Sequence, residues 1–77
     1  MIYYFDLAEN GDTAQDDEGT DLPDLEALRE ETHSAAREIM ANAVHAGHTA
    51  RDYEFQVRDA SGARVLTFPF TLRLRYG

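Results

Sequence analysis

The stretch QDDEGTDLPDLEALRE, from Gln15 to Glu30, runs from acids around a lone glycine, through a proline, into a repeating stripe. From Pro23 onward the stripe recurs at Leu25, Leu28, Thr32, Ala35, Ile39 and Ala43, and Ala36, Met40 and Val44 widen it. Steps of three and four predict one amphipathic helix. Pro23 suits the first turn, where its missing amide proton would have no partner, and Asp21, Asp24 and Glu26 suit the positive end of the helix dipole. His45 in the last turn and Gly47 just beyond it predict where the helix stops.

Outward from the helix the period changes from helical to two. Residues 2–7, IYYFDL, alternate Tyr3, Phe5 and Leu7 against Ile2, Tyr4 and Asp6, which predicts a strand. Asn10-Gly11 is a strong hairpin signal, so Asp12 to Asp16 is expected to return as a short, polar edge strand, its acids discouraging pairing with other chains. After the helix, YEFQVRD sets Tyr53, Phe55 and Val57 against Glu54, Gln56 and Arg58. DASGA turns the chain. Residues 64–75 then alternate Leu66, Phe68, Phe70, Leu72 and Leu74 with Thr67, Pro69, Thr71, Arg73 and Arg75.

The order strand, strand, helix, strand, strand predicts a single α+β domain over residues 1–77. A right-handed crossover that skips the first strand gives a four-stranded antiparallel sheet of order 2-1-3-4 with the helix on one face. Pro69 lacks an amide proton, which assigns the last strand to an edge. The opposite face is expected to carry Ile2, Tyr4, Gln56, Arg58, Thr67, Thr71 and Arg73, open to solvent or to another subunit.

A chain of 77 residues buries only about 60% of its unfolded surface, so self-association as a homodimer is expected. The absence of cysteine removes disulfides and thiolate metal sites and fits a reducing, cytoplasmic setting. The start MIYYFDL has neither a basic leader nor a membrane-spanning length, so no membrane is expected. The net charge of -8 is uneven. The acids lie mostly before residue 50, whereas Arg51, Arg58, Arg64, Arg73 and Arg75 crowd the remainder. That polarity fits a basic protein partner for the acidic half.

Several chemistries can be weighed on these residues. A helix-loop-helix calcium site needs oxygen ligands at alternate positions, a mid-loop glycine and a closing glutamate. Counting from Asp12 puts Ala14 at a ligand position, and counting from Asp16 puts Asp21 where the glycine belongs. The acidic stretch therefore reads as a solvated turn and helix entry. His45 and His48, with Asp52 near in sequence, form an alternative metal-dependent site, against the simpler reading of helix-end histidines answering the dipole. His33 lies among Glu26, Arg29, Glu30 and Arg37, the composition of a solvated helix face. Ser34 and Ser61 have no triad partners and no phosphate-binding loop is present, so neither an enzyme nor a cofactor is expected. Arg58, Arg73 and Arg75 beside Tyr4 offer phosphate and stacking contacts, but cross-strand pairing with glutamate and the acidic net charge oppose nucleic-acid binding.

The sequence YYFDL, the acidic DDEG turn, LPDLEALRE and the hairpin VRDASGARVLTFPF together resemble a family of short bacterial proteins of unknown function, found in rhizobia and related alphaproteobacteria. The resemblance spans nearly the whole chain and implies a compact α+β unit, with no activity, cofactor or catalytic residue to carry over. In architecture the chain is also similar to HicB-type antitoxins, which begin with an aromatic strand pair and place an acidic, proline-containing turn before a helix. That likeness implies an antitoxin-like or nucleic-acid-associated regulatory alternative. The leading expectation is a noncatalytic protein-protein interaction module that contacts partners through Tyr4, Asp16, Asp17, Glu18, Arg58 and Arg73, with no catalytic or metal-binding residues.

Overall fold

The computed structural model describes residues 1–75. The chain forms β1 (Ile2–Glu9), β2 (Asp12–Ala14), β3 (Thr20–Asp21), α1 (Leu25–His45), β4 (Ala50–Asp59) and β5 (Arg64–Arg73). The sheet is antiparallel with five strands, one more than expected. The path β2-β1-β4-β5 has the anticipated order, and the added β3 pairs with β1.

Helix α1 covers one face of this sheet. Tyr3, Tyr53, Phe55, Val57, Phe70 and Leu72 meet Leu28, Ala36 and Ala43 in the buried core, and Phe5, Leu7, Ile39, Met40, Leu66 and Phe68 fill its margin. Tyr53 and Phe55 both stack on Phe70, at 5.0 and 5.3 Å between ring centroids. Thr32 is also buried, and its hydroxyl donates to the Leu28 carbonyl at 2.7 Å, so a polar side chain sits on the stripe without a lost hydrogen bond.

The helix begins two residues later than the proline implied. Asp24 is the cap, its carboxylate accepting from the Ala27 amide at 2.8 Å, and Pro23 stands before the cap rather than in the first turn. Leu25, expected on the core stripe, is 63% exposed at the first position of the helix. At the other end Gly47 adopts φ 91°, its amide donates to Val44 and the His48 amide donates to Ala43. This is the reciprocal closure that a left-handed residue after a helix permits. His33 is not turned wholly to solvent: its ring lies 5.0 Å from that of Phe68.

Asn10 and Gly11, with φ 51° and 86°, close the β1-β2 hairpin between Glu9 and Asp12. The second strand ends at Ala14, two residues short of the expected Asp16. Leu7 pairs with Ala14, yet Tyr3 pairs with Thr20, so the register against β1 slips by two residues between β2 and β3. Residues 12–21 thus behave as one edge strand interrupted by an arch at 15–19, the acidic stretch itself. At the other end of the sheet β5 stops at Arg73, leaving Leu74, expected to face inward, 39% exposed.

Candidate interaction surface

On the face away from α1, Tyr4 and Arg58 stand directly opposite each other on β1 and β4, with Asp6 diagonal to Arg58. The Arg58 guanidinium lies over the Tyr4 ring, 4.9 Å from its centroid. Its Nε donates to Asp6 Oδ2 at 2.7 Å and its Nη2 to Asp6 Oδ1 at 3.2 Å, a two-pronged pair that fixes the plane of both groups. The same Nη2 donates to the Asp16 carbonyl at 3.1 Å. Asp6 is only 8% exposed, so its charge requires these donors.

Asp16 completes the cluster from the arch. Its amide donates to Asp6 Oδ1 at 2.9 Å, and its carboxylate accepts from the amides of Phe5, Glu18 and Gly19 at 3.0, 3.1 and 3.2 Å. The Phe5 amide faces the gap between β2 and β3, so a side-chain oxygen stands where a neighbouring strand would supply a carbonyl. Gly19, at φ 75°, lets the arch lie close: a Cβ there would come within 2.8 Å of Ile2 Cγ2 and 3.0 Å of Tyr4 Cε1. The face expected to be open is therefore covered along its β1 margin, and the acidic stretch is bound to the sheet as well as leading into the helix.

The electrostatics follow from these bonds. The Arg58 hydrogen bond holds the Asp6 carboxyl below its ordinary range, outweighing burial, and the Asp16 amide adds to the effect. For Asp16 burial acts upward, but the amides of Phe5, Gly19 and Glu18 together bring it below the ordinary value. Asp6 in turn holds Arg58 protonated. At the β4-β5 turn the Ser61 hydroxyl lowers Asp59, helped by the amides of Ser61, Ala63 and Gly62.

The remaining expected residues disperse. Asp17 and Glu18 are exposed on the arch. Arg73 is on β5, where it pairs with Asp52 at 3.1 Å while Thr71 donates to the same carboxylate oxygen. His48 lies within 3.1 Å of the Arg51 guanidinium, which is paired with Glu9, and His45 is exposed at the end of α1. Among the described residues no three histidine, aspartate or glutamate side chains gather in a way that could hold a metal ion. No helix among them is long and apolar enough to cross a membrane.

One family covers most of this arrangement. The chain belongs to the family described as Domain of unknown function (DUF6894). The match spans residues 2–71, so it contains Tyr4, Asp6, Asp16, Asp17, Glu18 and Arg58 and ends before Arg73. No curated protein and no solved structure matches the chain. Within the matched span, sequence reading singled out Tyr4, Asp16 and Arg58 but missed Asp6, the residue that joins them. An acid in an otherwise apolar strand, two positions from Tyr4 and on the same face, was the available signal.

Proposed function

We propose that the chain is a noncatalytic interaction module that self-associates and engages a basic protein surface. The observation that supports this reading is a sheet with blunted edges and one face that, among the described residues, only the arch covers, along its β1 margin. On the β1 side the arch and the Asp16 carboxylate interrupt the edge. On the β5 side Pro69 sits mid-strand opposite Glu54, and a bulge breaks the register at Val57/Arg58. Both are devices that discourage strand addition. Association is then directed to the exposed face, where Thr67, Pro69 and Thr71 form a row on β5 beside Glu54 and Gln56 of β4.

The charge requirement falls on different acids from those that crowd the sequence. Asp16 is spent on its own backbone, so Asp17 and Glu18 are the carboxylates of the arch turned outward to attract a cationic partner. Arg58 and Arg73 are likewise engaged, with Asp6 and Asp52, which favours a protein over a nucleic-acid polyanion on this face. Light scattering on the purified chain tests the self-association. A dimer mass at micromolar concentration supports it, and a monomer mass up to about 100 μM would remove it.

A further inference from the structure

Resting on that self-association, we propose that the occupant of the open face is a second copy of this chain, docked about a two-fold axis near Gln56 and Thr67. Two charged side chains on this face, Glu54 and Arg64, make no direct ion pair among the described residues. Glu54 Oε1 accepts only from the Gln56 amide nitrogen at 2.9 Å, and Arg64 Nη2 donates only to the Gln56 amide oxygen at 3.2 Å. Arg51, Arg58 and Arg73, by contrast, each have a carboxylate. Gln56 therefore stands between an anion and a cation without bringing them together.

The register sets the separation of the two charges. Glu54 lies opposite Pro69, Gln56 opposite Thr67, and Arg64 opposite Arg58, so acid and base flank the Gln56-Thr67 pair on opposite sides along the strands. A two-fold axis through that pair exchanges the two ends. It places Glu54 of one copy against Arg64 of the other, and the reverse, so that one self-complementary patch satisfies both charges twice. Thr67, Pro69 and Thr71, all exposed, are small or rigid and let the two sheets approach around the axis. The arch at 15–19, which lies against Ile2 and Tyr4, forms a shoulder that limits sliding across the strands.

Charge reversal separates this arrangement from other modes of association. Glu54→Arg and Arg64→Glu each place like charges together twice per dimer, and each is expected to weaken dimerisation by about tenfold or more. The double variant restores opposite charges with their places exchanged and is expected to recover most of the wild-type dissociation constant. Because the chain has no cysteine, Thr67→Cys introduces a single thiol near the axis, where oxidation is expected to give a covalent dimer. A dimer that both single reversals leave unchanged, or that they weaken without recovery in the double variant, overturns this geometry and leaves self-association standing. A monomeric wild-type chain overturns both.

Discussion

Truncating Asp16 to alanine removes the acceptor of the half-buried Phe5 amide as well as those of Glu18 and Gly19 in the arch. The loop amides can turn to water, but the Phe5 amide faces the interrupted edge. The expected loss is about 1–3 kcal/mol at neutral pH, against less than about 0.5 for Asp17→Ala, measured by urea unfolding. The pH dependence has a definite sign. A carboxyl depressed in the folded state adds stability above its unfolded value near 3.9, and that contribution is lost as pH falls through the folded value. The gap between wild type and Asp16→Ala should therefore narrow below about pH 4. Equal losses for Asp16 and Asp17, or a gap that widens in acid, would contradict the assignment of the carboxylate to the backbone.

At the scale of elements, the arch depends on Gly19. Gly11 and Gly19 both occupy left-handed conformations, at φ 86° and 75°, but an added Cβ meets nothing within 4 Å at Gly11 and Ile2 Cγ2 at 2.8 Å at Gly19. Gly11→Ala should cost about 1 kcal/mol from backbone conformation alone, and Gly19→Ala about 1 kcal/mol or more beyond that, because Tyr4 is held beneath Arg58. Equal thermal shifts for the two variants would mean that the arch moves freely off the sheet. The contrast also shows which elements were legible beforehand. The helix, the Asn10-Gly11 hairpin and the inward sets Tyr53, Phe55, Val57 and Leu66, Phe68, Phe70, Leu72 are local periodicities or turns. They could be read without knowing what lies across the sheet. The two-residue β3 has no period, and the Asp16 bond to Phe5 exists only because two register choices against β1 differ by two residues. Asp6 was placed on the correct face, but its role depends on Arg58, 52 positions away in the chain.

At the scale of the molecule, one helix among the described residues covers a sheet whose other face has, among them, only a polar arch along one margin. The charge distribution written along the sequence is not the one the fold presents. Arg58 pairs with Asp6 and backbone amides hold the Asp16 carboxylate, and the outward charges that remain include Asp17, Glu18, Glu54 and Arg64. On the proposed reading a second copy docks on the β4-β5 half of that face, and the most direct measurement is a dilution series followed by amide NMR. From about 1 mM to about 10 μM, a range that brackets a modest dimer affinity, the shifts of Glu54, Gln56, Thr67 and Thr71 should move together while those of α1 stay fixed. Amide positions unchanged across that range in a chain of monomer mass, or changes centred on α1, would contradict an interaction module built on the open sheet face.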